Sequence, residues 1–182
     1  GHTEFKESEF GLIPTTWETV ELSSVCEIYQ PETISKQSLS QSGKYPVYGA
    51  NGIIGRYHDY NHEQSEVAMT CRGATCGEIT RTSPFAWITG NAMVISPLNS
   101  DLNKDFLAYA LQASDRKKVI SGSAQPQITQ RDLADFDICV PIIFEQEKIA
   151  DILTSVDDTI EHTQAQVAKL QDLKTATMNE LL

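Results

Sequence analysis

Residues 145–182, EQEKIADILTSVDDTIEHTQAQVAKLQDLKTATMNELL, contain neither proline nor glycine and repeat apolar residues at the spacing of a coiled coil. The repeat predicts a single helix about 57 Å long, at about 1.5 Å per residue. So small a chain cannot cover a helix of that length, so its apolar stripe must pack on another long helix. The sequence therefore predicts a protein that assembles with a partner.

The stripe consists of two rows of seam positions that alternate at steps of four and three residues. Seven of the ten seam positions are apolar, and they are the predicted pairing residues: Ile149, Leu153, Val156, Ile160, Val167, Leu170 and Leu181. The three polar seam positions are Thr163, Lys174 and Thr177. We interpret these three as points where the pairing is loosened.

Length and composition indicate what accompanies the helix. The chain has 182 residues, of which 40% are hydrophobic and 21% charged, which predicts one ordinary domain and an appendage. No run of 18 apolar residues occurs, so no membrane-spanning helix is expected. The start, Gly1-His2-Thr3, lacks a methionine and an apolar signal core and is interpreted as the remnant of a cleaved tag. A cytoplasmic location is expected by default.

Net charge gives an ambiguous indication of partners. The formal net charge is −11, which by itself disfavours nucleic-acid binding. The acidic residues are concentrated at the two ends of the chain, however, and residues 33–131 carry ten basic residues against seven acidic ones. The middle of the chain could therefore offer a basic surface, although uneven charge on a solvated surface would look the same.

The four cysteines do not form a recognisable metal motif. Cys71 and Cys76 are separated by four residues, whereas Cys26 and Cys139 are far from them and from any histidine pair. Structural zinc sites show tighter cysteine pairs. Buried free thiols are the predicted state, and no metal is expected.

The part of the chain before the helix is predicted to be mostly β. Residues 17–25 alternate and predict a strand, and the polar residues 30–44 predict a loop. Valine, isoleucine, tyrosine and threonine then dominate up to residue 97, and seven of the ten glycines lie between residues 43 and 90. Strands are predicted at 53–58, 66–71, 76–81 and 91–96. The glycine density predicts an irregular, bulge-rich sheet or barrel.

Helical periodicity returns after residue 103. A helix is predicted over 103–116, followed by a polar loop over 121–129 and a short helix that Thr129 and Asp132 would cap. A final strand is predicted at 136–140, and the long helix is predicted to begin near Glu145. The predicted fold class is α+β: a glycine-rich, mostly β domain at 3–143 with short helices, and a long C-terminal coiled-coil helix at 144–182.

The motifs that mark common enzymes are missing. The glycine-rich stretch 49–55 has neither the dinucleotide nor the phosphate-loop spacing, and no Gly-x-Ser-x-Gly elbow occurs. No two histidines lie at metalloprotease spacing, and no Pro-Pro occurs, which a loop of the DNA amino-methyltransferase type would need. The chain is therefore predicted to be non-catalytic and to carry no cofactor.

The middle of the chain instead supplies polar and cationic side chains of the kinds that bind DNA. Glutamine and asparagine suit adenine, and arginine and lysine suit guanine and phosphates. The candidates are Lys44, Tyr48, Asn51, Arg56, Arg72, Lys117, Lys118, Ser123, Gln125, Gln127 and Arg131. Each has a structural alternative: Asn51 precedes Gly52 as a turn residue would, Arg72 could brace a turn, and the two glutamines could satisfy backbone groups.

A series of short motifs runs along the chain, each too short to identify a family alone. They are Gly11-Leu-Ile-Pro-Thr-Thr-Trp17, Leu22-x-x-Val25, Tyr45-Pro-Val-Tyr-Gly-Ala-Asn-Gly-Ile-Ile-Gly55, Cys71-Arg-Gly-Ala-Thr-Cys-Gly77, Gly90-Asn-Ala-Met-Val-Ile95, Ser123-Ala-Gln-Pro-Gln-Ile-Thr129, Val140-Pro141, Glu145-Gln-x-x-Ile-Ala-x-Ile-Leu153 and Asp157-x-x-Ile160. In combination they resemble the DNA-specificity (S) subunits of type I restriction-modification systems. The resemblance covers residues 11–182.

The resemblance implies a non-catalytic subunit that places a multisubunit complex on double-stranded DNA in the prokaryotic cytoplasm. In such complexes, methylation (M) subunits use S-adenosylmethionine to methylate adenines, and a restriction and motor (R) subunit cleaves unmodified DNA. By this resemblance, residues 3–143 are a target recognition domain and residues 144–182 a conserved spacer helix. The spacer sets the distance between two half-sites and docks the methylation subunits.

The chain departs from the usual plan of the family, which has two recognition domains and two spacer helices. One domain and one helix imply recognition of only half of a bipartite target. Two explanations stay open: the N-terminal half of a longer subunit, or a natural half-subunit that pairs with itself. Self-association through the helix is expected in both cases. The alternative function is a scaffold or decoy that binds the methylation subunit without binding DNA.

Overall fold

The computed structural model describes residues 2–50, 52–122 and 125–181. The described residues form eleven strands: β1 (Phe5–Ser8), β2 (Gly11–Pro14), β3 (Glu18–Glu21), β4 (Cys26–Tyr29), β5 (Tyr45–Gly49), β6 (Gly52–Tyr57), β7 (Val67–Thr70), β8 (Ile79–Arg81), β9 (Trp87–Ile88), β10 (Ala92–Pro97) and β11 (Asp137–Val140). They also form four α-helices: α1 (Leu22–Val25), α2 (Lys104–Ala113), α3 (Gln130–Ala134) and α4 (Ile143–Leu181). The predicted α+β class with a long C-terminal helix is confirmed. The chain divides into two compact units, Gly1–Glu147 and Lys148–Leu182.

The first unit is organised around a four-stranded antiparallel sheet with the strand order β4-β10-β7-β8. All four residues of β7 are buried, as are Ala92 to Ile95 of β10, because these two strands occupy the centre of the sheet. Helix α2 packs against β7 and β8 and buries Phe106, Leu107 and Leu111. Central strands with both faces covered consist mainly of consecutive apolar residues. The strands predicted at 66–71 and 91–96 therefore agree closely with β7 and β10.

A smaller sheet has the order β6-β5-β9, in which β5 pairs antiparallel with β6 and parallel with β9. The β5–β6 register shifts between Val47 and Tyr48, which is the irregularity that the glycine density predicted. The hairpin closes at Gly49, which lies opposite Gly52. Strand β6 matches the strand predicted at 53–58, whereas β8 begins only at Ile79 because residues 76–78 belong to a turn.

The strand predicted over 17–25 is wrong in its second half. Within residues 17–25 only β3 is a strand, and it pairs antiparallel with β11. Helix α1 follows, and the Ser24 hydroxyl donates to the carbonyl oxygen of Glu21 at 2.6 Å. Serine hydroxyls make such local bonds to backbone carbonyls at turns, and alternation along the sequence does not show them. The turn brings Leu22 into the core, where it is fully buried.

The N-terminal residues form a hairpin that the sequence predicted only as extended chain. Strands β1 and β2 pair antiparallel with Lys6 opposite Ile13 and Glu7 opposite Leu12. Ile13 faces inward and is 6% exposed, whereas Leu12 faces outward and is 71% exposed. Opposed residues share a face, so one face of the hairpin is anchored by a single isoleucine.

Helix α2 ends at Ala113, three residues before the predicted end. The basic residues that were predicted to close it occupy a 3₁₀ turn, Arg116–Val119. The Arg116 guanidinium donates to the carbonyl oxygens of Leu111 and Gln112 and so caps the helix from beyond its end. Helix α3 begins with the capping box predicted for Thr129 and Asp132.

Gln146 fixes the chain where α4 begins, within the first unit. Its side-chain oxygen accepts from the backbone N–H of Asn103 at 2.8 Å. Its amide nitrogen donates to the carbonyl oxygens of Asp101 at 2.9 Å and Pro141 at 2.8 Å. Gln146 is 1% exposed, so one buried side chain satisfies three backbone groups.

Helix α4 has 39 residues and is therefore about 58 Å long. It begins at Ile143, two residues before the predicted start. The seam residues are well exposed, for example Val156 at 50%, Ile160 at 48% and Leu170 at 65%. The hydroxyls of seam residues Thr163 and Thr177 donate to carbonyls four residues earlier in the same helix, at 2.7 and 2.9 Å.

Apolar side chains beside the seam widen the stripe, and all of them are exposed. They are Ile152 at 65%, Leu173 at 63% and Met178 at 49%. A broad, exposed apolar stripe on a long helix is typical of a surface that packs on another helix. Among the described residues, no helix is long and apolar enough to span a membrane.

Candidate nucleic-acid interface

Three loops of the first unit are joined in series by hydrogen bonds, from Ala50 through the loop between β7 and β8 to the segment around Gln127. The hydroxyls of Thr70 and Thr75 both donate to the carbonyl oxygen of Ala50, each at 2.8 Å. Thr70 ends β7, and Thr75 lies in the loop that connects β7 to β8. The carbonyl of Ala50 is thus held by two side chains from one neighbouring loop, which fixes Ala50 to the larger sheet.

The loop between β7 and β8 is closed by a bulge at Gly77. The backbone N–H of Gly77 donates to the carbonyl of Thr70 at 2.8 Å, and the N–H of Thr70 donates to the carbonyl of Glu78 at 2.8 Å. Two residues of one strand therefore oppose one residue of the other, and the first of the two is a glycine with φ of +90°. This is the geometry of a G1 bulge, which favours glycine because other residues avoid positive φ.

Replacing Gly77 with alanine is expected to lower the free energy of unfolding by about 1–2 kcal/mol, the cost of a left-handed non-glycine residue. The added Cβ would also lie 3.3 Å from Ile120, in the loop that follows α2. Gly11→Ala is the matched control, because Gly11 has φ of +88° and its added Cβ would have no atom within 4 Å.

Both variants should lose similar stability in denaturant titrations. Only Gly77→Ala should accelerate hydrogen exchange at residues 70–78, because its strain lies in that loop. Equal exchange at residues 70–78 in the two variants would contradict the assigned role of the bulge.

A narrow ladder of three chain segments forms the centre of the site. Arg72 opposes Gln127, and Gln127 also opposes Ser121, both in antiparallel bridges. Two backbone hydrogen bonds flank the first bridge. The N–H of Gly73 donates to the carbonyl oxygen of Pro126 at 3.1 Å, and the N–H of Ile128 donates to the carbonyl oxygen of Cys71 at 3.0 Å. Across the second bridge, Ser121 and Gln127 exchange backbone hydrogen bonds of 2.8 and 2.9 Å.

The segment that returns from Ser121 to Gln127 depends on one glycine. Gly122 has φ of +81°, and a Cβ there would lie 2.5 Å from the carbonyl oxygen of Gln125. Gln125 itself is exposed. The candidate residues Ser123 and Asn51 lie outside the described residues.

The remaining candidates are dispersed. Lys44 and Arg56 lie at the open end of the β5–β6 hairpin. A strand of about five residues that rises about 3.3 Å per residue separates them from its closed end by about 16 Å. The Arg56 guanidinium donates to the carbonyl oxygens of Gly43, at 2.7 Å, and Lys44. The Lys44 amine lies 4.9 Å from the centre of the Tyr45 ring. Arg56 therefore braces a loop, a role that the sequence suggests for Arg72 and not for Arg56.

Tyr48 lies in the core and not on the predicted surface. It is 8% exposed, and its hydroxyl lies 3.4 Å from the Ser83 hydroxyl and accepts from the Ser83 N–H at 3.0 Å. Its ring packs in the cluster that contains Ile88 and Val94. We therefore assign Tyr48 a packing role.

The basic residues after α2 are exposed but only partly available. The Lys118 amine pairs with the Glu9 carboxylate at 3.3 Å, and both side chains are about half exposed. Lys117 is exposed in the 3₁₀ turn, and Arg131 is exposed on α3, directly after the ladder. An exposed ion pair contributes little energy, so Lys118 can exchange Glu9 for a phosphate at small cost.

Sequence reasoning missed Ser121, Thr70 and Thr75. The two threonines bond a carbonyl 20 and 25 residues away, and Ser121 acquires its position only by pairing with Gln127. No local pattern indicates such contacts. Gly77 was the available signal, because it lies within the strand predicted at 76–81 and an isolated glycine in a strand pattern suggests a bulge.

Burial keeps two of the thiols of the first unit protonated. All four cysteines are free, as predicted, with Cys26 and Cys71 buried and Cys76 and Cys139 partly buried. Burial raises the pKa of Cys26 to about 12. Burial, with a smaller contribution from Cys71, also raises the pKa of Cys76. These two thiols are protonated at neutral pH, and the described residues contain no group of three or more side chains that could hold a metal ion.

A family model for the type I restriction modification DNA specificity domain matches residues 14–172. The chain belongs to this family. The match covers the three loops described above and most of α4, and the resemblance stated from the sequence motifs is thereby confirmed. Membership in a specificity family, and not in an enzyme family, also agrees with the predicted lack of catalysis.

Relatives carry the same description. The specificity subunit of the type I restriction enzyme EcoprrI from Escherichia coli is 29% identical over 168 residues, which cover 92% of this chain and 41% of the relative. The specificity subunit of the type I restriction enzyme MpnII from Mycoplasma pneumoniae is 28% identical over 142 residues, which cover 75% of this chain and 43% of the relative.

Solved structures share the fold. The S subunit of a type I restriction-modification system from M. genitalium superposes with a TM-score of 0.72 at 20% identity, covering 80% of this chain and 40% of that one. The HsdS subunit from Thermoanaerobacter tengcongensis superposes with a TM-score of 0.62 at 19% identity, and the match covers 86% of this chain and 41% of that one. The chain thus spans about half the length of the specificity subunits that it matches.

Proposed function

We propose that this specificity-family chain recognises one half of a bipartite double-stranded DNA target within a type I restriction-modification complex. The observation that carries the proposal is the ladder of Arg72, Gln127 and Ser121, which presents exposed polar side chains on a backbone held by hydrogen bonds. Base edges in the major groove are recognised by side chains of these types. Family membership supplies the independent support.

The rigidity of the loops is part of the argument. A protein binds its DNA target less tightly when a loop must be ordered on binding, because each immobilised side chain costs free energy. Here the turn at Ala50, the bulge at Gly77 and the ladder at Gln127 are tied to one another by backbone and threonine hydrogen bonds. The loops are therefore preorganised for binding.

The charge of the chain assigns phosphate attraction largely to a partner. With a formal net charge of −11, the chain repels DNA at long range. Lys117, Lys118 and Arg131 are exposed near the site, but three cations supply only a few phosphate contacts. Cationic methylation subunits would supply the rest, and they would also bind the S-adenosylmethionine that this chain is not expected to bind.

Helix α4 is the proposed docking element for the methylation subunits and for a second long helix. Its exposed apolar stripe supports this assignment. Such packing would set the distance between two half-sites, since a helix is a stiff spacer. The restriction subunit would then be recruited indirectly, through the methylation subunits.

Binding measurements at several salt concentrations test the proposal. With methylation subunits present, a footprint at a defined half-site is expected. For the chain alone, affinity should be weak and should fall steeply with salt, because the residual attraction comes from phosphate contacts. Tight, salt-insensitive binding by the chain alone would contradict this division of roles. A complex that assembles but leaves no footprint on any DNA would instead establish the scaffold or decoy.

A further inference from the structure

We infer that Arg72, Gln127 and Ser121 recognise consecutive base pairs, with Arg72 on a guanine and Gln127 on an adenine of the adjacent base pair. The inference rests on the proposed DNA-recognition function and deepens it. It assigns a role to Ser121 and a composition to part of the half-site. The geometry of the two bridges leads to this assignment.

Hydrogen bonding around the bridges determines how the three residues are arranged. Arg72 and Gln127 exchange no backbone hydrogen bond with each other. The residues before and after them in the chain make these bonds, so Arg72 and Gln127 form a non-hydrogen-bonded pair. Gln127 and Ser121 bond each other directly and form a hydrogen-bonded pair. Cα atoms lie about 4.5 Å apart in the first kind of pair and about 5.5 Å apart in the second.

Directly opposed residues in antiparallel pairs place their side chains on the same face. Arg72, Gln127 and Ser121 therefore form one row about 10 Å long, the sum of the two Cα spacings. Successive bases along a DNA strand are about 3.4 Å apart. A row of this length covers about three base-pair steps, and the spacing of about 4.5 Å between Arg72 and Gln127 lets their long side chains reach adjacent base pairs.

The side chains of the row are available for a ligand. Arg72, Gln127 and Ser121 are all exposed. Among the described residues, no ion pair or side-chain hydrogen bond involves the Arg72 guanidinium or the Gln127 amide. The Ser121 hydroxyl donates to the Gln127 carbonyl at 3.2 Å, which leaves its oxygen able to accept.

Three other arginines of the first unit are committed to the protein itself, whereas Arg131 is exposed on α3. Arg56 donates to two carbonyls, and Arg116 donates to the end of α2. Arg81 pairs with Asp105 at 3.1 Å. Arg72 differs from these three because no described residue bonds its exposed guanidinium, and from Arg131 because hydrogen bonds at Cys71 and Gly73 hold its backbone in the ladder.

Chemistry then assigns the bases. The arginine fork donates in bidentate fashion to O6 and N7 of guanine, and the glutamine amide pairs in bidentate fashion with N6 and N7 of adenine. Serine can accept from or donate to several bases and so adds little discrimination. The predicted half-site therefore contains a guanine in one base pair and an adenine in the next.

Selection from a random DNA library, using this chain together with its methylation subunits, tests the inference. The unchanged chain should enrich a half-site with this guanine and adenine. Arg72→Ala should lose discrimination at the guanine alone, by about tenfold to a hundredfold, and Gln127→Ala at the adenine alone by a similar factor. Arg72→Gln should shift the preference at the first base pair from guanine toward adenine, a change that a purely structural arginine would not produce.

Lys36→Ala and Gln112→Ala are the matched controls, because both side chains are exposed and lie outside the three loops. They should leave every base preference unchanged. A defined half-site whose preferences survive Arg72→Ala and Gln127→Ala would overturn this inference and leave the proposed function intact. Failure of the unchanged complex to enrich any sequence would overturn both.

Discussion

Replacing Ile160 and Val167 with aspartate is expected to abolish helix pairing and methylation-subunit docking while the first unit stays folded. The two side chains are 48% and 47% exposed, so the unpaired chain gains little from them. In a paired seam, each would contribute about 1.5–3 kcal/mol by burial. Two aspartates would remove that contribution and add the cost of burying charge. A loss of about 4 kcal/mol or more weakens pairing about a thousandfold.

Light scattering on the purified chain measures the pairing, and pull-down with methylation subunits measures the docking. Ser155→Asp combined with Ala165→Asp is the matched control, because it adds the same charge at exposed positions outside the seam. The control should still associate, and the thermal unfolding of the first unit should not change in either variant. An unchanged dimer in the Ile160 and Val167 variant would show that the seam is misassigned. Equal dissociation of the control would attribute the effect to charge alone.

Replacing Gln146 with glutamate is expected to destabilise the first unit by about 3–5 kcal/mol. The shape is retained, but the amide nitrogen that donates to Asp101 and Pro141 becomes an acceptor that faces two carbonyl oxygens. Each buried polar group left without a partner costs about 1–3 kcal/mol, and more when charge is involved. The side chain is 1% exposed, so water cannot replace the lost bonds.

Thermal unfolding should show this loss as a decrease in Tm of about 6–20 °C, since about 1 kcal/mol corresponds to about 2–4 °C at this size. Gln37→Glu, at an exposed position, is the matched control and should change Tm by less than about 2 °C, because exposed substitutions have small effects. A Tm for Gln146→Glu within that same range would mean that the three hydrogen bonds do not hold the start of α4.

The sequence predicted elements whose signals are local. The capping box at Thr129 and Asp132 follows from two residues three positions apart, and the long helix follows from a repeat without proline or glycine. The central strands β7 and β10 are continuously apolar because both of their faces are covered. In each case the residues that determine the structure are neighbours in the chain.

Elements that depend on distant partners could not be predicted in the same way. Helix α1 interrupts an alternating stretch, and Leu22 N–H is satisfied by the carbonyl of Phe136, more than a hundred residues later. The hairpin of β1 and β2 buries only Ile13, which is too weak a pattern to distinguish it from an extended chain.

The candidate site shows the same division. Residue type alone selected Arg72 and Gln127, which the ladder brings together, but it also selected Arg56 and Tyr48, whose polar groups are occupied within the protein. Whether a polar side chain is available depends on its neighbours in space. Ser121 was missed for the same reason, since its place in the row comes only from pairing across a loop.

The threonines of the α4 seam have a consequence for whatever covers them. Thr163 and Thr177 direct their hydroxyls to carbonyls of their own helix, so each hydroxyl is satisfied without any atom from outside. A covering helix would therefore meet methyl groups at both positions and need not supply a hydrogen-bonding counterpart. Such positions do not discriminate between partners by polarity. The choice of partner is left to the shapes of the large aliphatic residues and to the positive charge of Lys174.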